Sequence, residues 1–255
     1  MKLTILGCSG SLPRPDSPAS GYLVESGETR IALDLGNGTV GAMQRHVDPF
    51  DLNGLFLSHL HPDHCSDFGA LTVLRRYRPD PPYDPAAHRL RVFGPPETQD
   101  RLTRLYAPNA AELADTDLAD VYDFEGFDEP AEVGPFRVTA LPVDHLCPAW
   151  GFRVETADRV LAYTGDTGPC AALEELARHA DVLLAEASWA DSPDRPDGVH
   201  LSGRQAARVA KRAGVRQLLL THLQPWTDPQ EILREAIEEF DGPVEVVEAG
   251  QSHSI

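Results

Sequence analysis

Ser58-His59-Leu60-His61-Pro62-Asp63-His64 follows the apolar run Leu55-Phe56-Leu57, and its reading decides the fold. Three imidazoles and a carboxylate within six residues form a ligand set for zinc and similar metals, with the carboxylate completing or bridging a site. The apolar run predicts a short buried strand. Beyond His64, Phe68, Leu71 and Leu74 mark one face of a helix ending near Tyr77. The cluster therefore falls in a strand-to-helix loop, where catalytic groups on α/β scaffolds often lie.

Further candidates follow other strand-like runs. Leu141-Pro142-Val143-Asp144-His145 and Leu219-Leu220-Thr221-His222 each supply a histidine, and Tyr163-Thr164-Gly165-Asp166-Thr167 supplies an aspartate in a glycine turn. His200 lies in a loop just before a helix. Any one of these alone is more often an ordinary loop residue; their recurrence at strand ends points to one site. Strands are predicted over 2–6, 21–25, 30–35, 90–93, 136–143, 151–155, 160–164, 182–186, 217–220 and 244–247. Helices are predicted over 39–46, 97–106, 171–178, 203–213 and 229–240. Strand meanders alternating with helices indicate an α/β protein with mixed sheets, and no linker divides residues 1–255, so one domain is expected.

Formal net charge is −18, from 22 basic and 40 acidic side chains. Such acidity repels polyanions and argues against a broad nucleic-acid footprint, although bound dications reverse the local potential for a small anionic substrate. No apolar stretch approaches the roughly 18–20 residues that span a bilayer, and the first apolar run is too short for a signal peptide. The expected compartment is the cytoplasm, with no membrane partner. Cys8, Cys65, Cys147 and Cys170 form no disulfide-like framework. Cys65 and Cys147 flank the histidines, as neighbours of the metal site or as plain buried residues. Arg75, Arg76 and Arg78 read first as a solvated helix end, with contact to phosphate as the alternative. The proline-rich stretch 78–85 reads as a lid, a subunit contact or a plain surface loop.

His59-x-His61-x-Asp63-His64 followed by His145, Asp166 and His222 resembles the metallo-β-lactamase superfamily over nearly the whole chain. The resemblance implies a four-layer αββα sandwich with two mixed sheets. It implies two divalent metal ions, zinc first and manganese or magnesium as options. His59, His61 and His145 would hold one ion; Asp63, His64 and His222 the second; Asp166 would bridge them. Gly7-Cys8-Ser9-Gly10-Ser11, Asp34-Leu35-Gly36-Asn37-Gly38-Thr39, Ala185-Glu186-Ala187-Ser188 and His200-Leu201-Ser202-Gly203 resemble the RNase Z-like phosphodiesterase branch. By that analogy Asp34 orients a liganding histidine. Asp63 manages the nucleophile, and His200, held by Glu186, protonates the leaving group.

Two departures separate the chain from tRNA-processing RNase Z. His145 and Asp166 are only 21 positions apart, which leaves no room for a projecting arm, and the charge is wrong for gripping tRNA. Thr221-His222-Leu223-Gln224-Pro225-Trp226-Thr227 and the stretch 15–23 resemble bacterial cyclic-AMP phosphodiesterases of that fold. The expected activity is hydrolysis of 3′,5′-cyclic AMP to 5′-AMP, with a tRNA 3′-end endonuclease as the alternative. A homodimer is one option for the assembly. Trp150, Trp189, Trp226 and Tyr77 are candidates to stack on a base or simply packing aromatics.

Overall fold

The computed structural model describes all 255 residues. In chain order, β1 (Lys2–Gly7), β2 (Gly21–Ser26), β3 (Thr29–Leu33), β4 (Gly54–Phe56), β5 (Leu90–Phe93) and β6 (Tyr122–Glu125) build a first sheet. The second comprises β7 (Ala131–Val133), β8 (Phe136–Val143), β9 (Ala149–Glu155), β10 (Val160–Tyr163), β11 (Val182–Glu186), β12 (Gln217–Thr221) and β13 (Val244–Val246). Last, β14 (Ser252–Ser254) returns to pair antiparallel with β1. Each sheet of seven strands is antiparallel in one half and parallel in the other.

The helices are α1 (Thr39–Met43), α2 (Pro62–Cys65), α3 (Phe68–Tyr77), α4 (Thr98–Tyr106), α5 (Ala110–Asp115), α6 (Ala172–Leu176), α7 (Gly203–Ala213) and α8 (Pro229–Glu239). Alternation along the strands explains the layering, because successive side chains face opposite sides of a sheet. In β11, Val182 and Leu184 join the core between the sheets, while Leu183 and Ala185 join the core beneath α6, α7 and α8. In β12, Leu219 points inward and Leu218 and Leu220 outward. On the first sheet Phe56 faces inward, and Leu55 and Leu57 pack with Phe68, Leu71 and Leu102 of α3 and α4. Burial on both faces is why the parallel strands read as unbroken apolar runs. The result is the four-layer αββα sandwich that the sequence predicts.

Elements missing from the sequence reading include β6, which falls in a weakly patterned acidic stretch, together with β7, β14 and α5. Strands β7 and β14 are three residues long, and Ser252-His253-Ser254 has no apolar face, so backbone pairing alone defines β14. Helix α5 buries no residue and is held by its cap, where Asn109 Oδ1 accepts from Ala111 N and Glu112 N, each at 3.0 Å.

Arg75 corrects one expectation. It is 1% exposed rather than solvated. Its guanidinium lies 5.5 Å from the Phe50 ring and 5.7 Å from the Tyr122 ring, and it donates to His88 O at 2.9 Å. Two π faces and a carbonyl thus take the place of a carboxylate partner. Tyr83 of the proline-rich stretch packs on Phe50 and donates to its carbonyl at 2.6 Å. That stretch is anchored here, and none of its hydrogen bonds reaches the histidine loops.

The carboxyl ends of β3, β4, β8, β10, β11 and β12 lie along one edge of the sandwich, the place where open α/β sheets gather their ligands. Asp34 follows β3, the histidine cluster follows β4, His145 follows β8, Asp166 follows β10, Glu186 ends β11 and His222 follows β12.

Candidate metal centre

Pro62 starts α2 at a position where its missing N–H costs nothing, so the chain leaves β4, extends through His61 and turns at once. That turn brings Asp63 and His64 back beside His59. The loops approach so closely that two positions admit only glycine: a Cβ at Gly10 would lie 2.3 Å from His222 O, and one at Gly36 1.9 Å from Asp63 O. Asp34 and His222 themselves hold left-handed backbone, with φ of 59° and 58°. Each such residue costs about 1–3 kcal/mol and persists only where its surroundings fix it.

The side chains form two contiguous groups. His59 Nε2 lies 3.0 Å from His61 Nδ1, which lies 3.2 Å from His145 Nε2. Beside them His64 Nε2 and His222 Nε2 are 3.2 Å apart, and Asp63 Oδ2 is 3.2 Å from His222 Nε2 and 3.5 Å from His64 Nε2. Asp166 Oδ2 touches both groups, at 3.2 Å from His64, 3.3 Å from His222 and 3.7 Å from His59. His59, Asp63, His64, Asp166 and His222 are buried, whereas His61, His145 and, to a smaller extent, His200 form a partly exposed rim. The centre therefore opens on the His61–His145–His200 side.

Hydrogen bonds behind the rings assign their tautomers. The Ser58 hydroxyl gives its proton to Asp34 Oδ2 at 2.8 Å, so His59 Nδ1–H donates to Ser58 Oγ at 3.1 Å. His64 Nδ1–H donates to Asp34 Oδ2 at 2.8 Å, and His145 Nδ1–H to the Val199 carbonyl at 2.8 Å. His222 Nδ1–H donates to Ser188 Oγ at 2.9 Å, and Ser188 passes its own proton to Glu186 Oε2 at 2.9 Å. Four Nε2 lone pairs consequently face inward with no proton to share. Asp166 Oδ1 is also buried without a partner. Converging lone pairs, two carboxylates and an orphaned carboxylate oxygen fit divalent metal ions, which supply the positive charge that this donor set lacks.

The electrostatics follow the same contacts, with His64 as the one ring whose inward nitrogen attracts a proton until a cation takes that place. Burial, reinforced by His64, holds the His59 imidazole well below its ordinary range. Burial opposes ionisation of Asp63 and Asp166 as well, but His222 and His64 prevail and hold both carboxyls well below theirs. His64 moves the other way: burial opposes its charge, and Asp166 and Asp34 carry it well above the usual imidazole value.

His200 stands at the rim with Nδ1 2.9 Å from Glu186 Oε1 and its ring edge-on to Trp189 at 4.9 Å. Burial would lower its pKa, yet the adjacent Glu186 carboxylate raises it to about 9. Glu186 is fully buried and also accepts from Thr167 N at 2.7 Å. The structure thus places all ten candidate residues around one centre. Sequence reading passed over the groups behind them: Ser58, Ser188, Tyr163, whose hydroxyl donates to Asp34 Oδ2 at 2.7 Å, and Ser11, whose N–H donates to Asp63 Oδ2 at 2.9 Å. Ser58 had a signal in its place directly before His59; Ser11, Tyr163 and Ser188 stand within the motif stretches, with nothing local to give them a role. Cys65 is a buried thiol that burial raises to about 11, whereas Cys147 Sγ lies 3.9 Å from His61 Nε2.

Ser188→Ala removes the acceptor for His222 Nδ1–H without touching the inward face. Its expected effect is about a tenfold loss of metal affinity, measured by competition with a chromophoric chelator; unchanged affinity would show that Ser188 does not hold His222 in register.

A family model described as a beta-lactamase superfamily domain matches residues 29–223. The uncharacterized protein ML1173 of Mycobacterium leprae is 45% identical, covering 100% of this chain and 89% of that protein. A ribonuclease Z from Haloferax volcanii is 30% identical over 98% of this chain and 94% of its own length. The crystal structure of the metallo-beta-lactamase fold protein YhfI from Bacillus subtilis superposes with a TM-score of 0.84 at 25% identity, covering 99% of each chain. With the sandwich and the donor cluster described above, these likenesses assign the chain to the β-lactamase superfamily of metallo-hydrolases, in its RNase Z-like branch.

Proposed function

We propose that the protein is a binuclear-metal phosphodiesterase that hydrolyses small cyclic nucleotides, with 3′,5′-cyclic AMP as first substrate and 5′-AMP as product. The observation that carries this reading is the short connection from His145 to Asp166. It is filled by β9 and β10, so no arm projects beside an open rim that bears the His200–Glu186 pair. The alignment with the Haloferax ribonuclease Z runs over 304 positions against a chain of 255, so that relative carries additional segments. A small diester needs no such extension.

Bound at this donor set, divalent metal ions (zinc first, with manganese or magnesium as options) supply Lewis-acid charge to the phosphoryl oxygens and lower the pKa of water. The chain's own residues do the rest. Asp63 is fixed through Oδ2 by the Ser11 N–H, which leaves Oδ1 free of protein partners to orient the attacking water and take its proton. Glu186 holds His200 through Nδ1, so Nε2 is the atom that delivers a proton to the departing ribose oxygen. The Glu186 carboxylate at Nδ1 favours the charged imidazolium, the form that has a proton to give.

The second reading, a tRNA 3′-end endonuclease, is favoured by the Haloferax relative and opposed by a net charge of −18. Metal-loaded protein given a panel of cyclic nucleotides, pre-tRNA and bis-phenyl phosphate esters decides between them. Turnover of cyclic AMP without cleavage of pre-tRNA at low salt is expected. No cyclic-nucleotide turnover with zinc, manganese or magnesium would sink the substrate claim. His200→Ala is expected to retain its metals and lose about 10²–10³-fold in kcat, and full activity in that variant would remove His200 from the mechanism.

A further inference from the structure

A cleft of about 250 Å³ opens beside the metal centre on its half-exposed side. Leu60 and Cys147 form the wall that it shares with the centre, and Cys147 Sγ is 3.9 Å from His61 Nε2. Pro95 and Pro148 line it with further apolar surface, and α4 with its N-cap residue Glu97 contributes four charged side chains. Two of those cancel: Arg104 Nε pairs with Asp100 Oδ2 at 2.8 Å. The other two, Glu97 and Arg101, stand one helical turn apart and pair neither with each other nor with any other side chain. Arg101 is a partly buried guanidinium beside the site with no carboxylate in ion-pair distance, as Arg75 is elsewhere in the fold.

The size and balance of the cleft restrict its occupant. Whole-ligand pockets run to about 300–1,000 Å³, so this one holds a single ring system, with the rest of the molecule on the metal centre. Its formal charges sum to zero, which gives no pull on a second phosphate. Apolar walls flanked by one unpaired donor and one unpaired acceptor suit a neutral heteroaromatic ring. We infer that this cleft is the base subsite of the proposed nucleotide substrate. Arg101 donates to a ring nitrogen there, Glu97 accepts from an exocyclic amino group, and amino-bearing bases such as adenine are selected over uracil. The inference rests on the nucleotide reading above for the identity of the ring. Adenine offers an acceptor next to an amino donor, whereas uracil presents carbonyl oxygens where that donor would be. Arg also stacks on flat π faces, which adds affinity without sequence-specific contacts.

The test uses Cys147 as a reporter in the metal-loaded, full-length protein. Its alkylation by iodoacetamide is followed by peptide mass spectrometry with adenosine or uridine present; Cys8 and Cys65 are buried. Adenosine is expected to slow modification of Cys147, uridine to do so far less, and Arg101→Met to erase the protection. The same variant is expected to raise KM for cyclic AMP about tenfold, the loss of one charged hydrogen bond. Equal protection by both nucleosides, or none by adenosine, would overturn the subsite even if cyclic AMP is turned over. Adenosine protection that depends on Arg101 in a protein inert toward cyclic AMP would uphold the cleft and remove only the proposed substrate.

Discussion

Asp166→Ala is expected to abolish measurable hydrolysis, a loss of at least about 10³-fold, and to release metal at the same time. The carboxylate is 2% exposed, and one oxygen lies within 3.7 Å of His59, His64 and His222 while the other has no protein partner. Removing it takes away the one carboxylate within reach of both donor groups, since Asp63 lies beside His64 and His222 but not His59. Metal content by elemental analysis and turnover of any accepted diester check the two halves of the expectation. A variant that keeps both full metal and full rate would remove Asp166 from the centre. Asp166→Asn separates charge from shape: it keeps one inward oxygen and is expected to retain some metal at reduced affinity.

The second large effect belongs to Asp34. Its carboxylate is fully buried and accepts four hydrogen bonds, from Ser58 N at 2.7 Å, Ser58 Oγ at 2.8 Å, Tyr163 Oη at 2.7 Å and His64 Nδ1 at 2.8 Å. Burial, with Asp34 beside it, pushes the Tyr163 phenol well above its ordinary range, so it stays a donor. Asparagine tolerates the left-handed backbone at this position but offers a single acceptor oxygen, and its amide N–H₂ confronts groups that are themselves donors. Asp34→Asn is expected to cost about 2–4 kcal/mol in unfolding free energy, because buried donors lose their partner. It should also lower metal affinity about 10–100-fold, because His64 is no longer held by its rear nitrogen. Denaturant titration in excess chelator isolates the first effect, and chelator competition on folded protein isolates the second. Wild-type stability without metal would show that the four contacts are replaceable.

Much of this architecture was legible because the determinants are local and repetitive. Apolar runs such as 182–186 and 217–221 bury both faces, so they stand out without tertiary information. Histidines and aspartates at successive strand ends mark one edge of a sheet even before the sheet is known. What escaped was whatever depends on a distant partner. Arg75 looks like a solvated helix end until Phe50 and Tyr122 are placed on either side of it. Ser188 and Tyr163 have no spacing signature, since each acts through a contact made far along the chain, Tyr163 to Asp34 being 129 positions apart. Among the aromatics, sequence could not rank Trp189, which is 7% exposed against His200, and Trp226, which is 70% exposed four residues beyond His222. No helix of the chain is long and apolar enough to cross a membrane.

The two sheets contribute unequally and from opposite sides to the donor cluster. His59, His61, Asp63 and His64 hang from the first sheet, and His145, Asp166 and His222 from the second. Each donor group draws on both, so a bound cation is also a cross-link between the halves of the sandwich, added to the apolar packing and to buried hydrogen bonds such as Tyr22 Oη with Thr221 Oγ1 at 2.8 Å. Occupancy of the centre and cohesion of the two halves are then thermodynamically linked, so that whatever loosens the seam also weakens the hold on the cation.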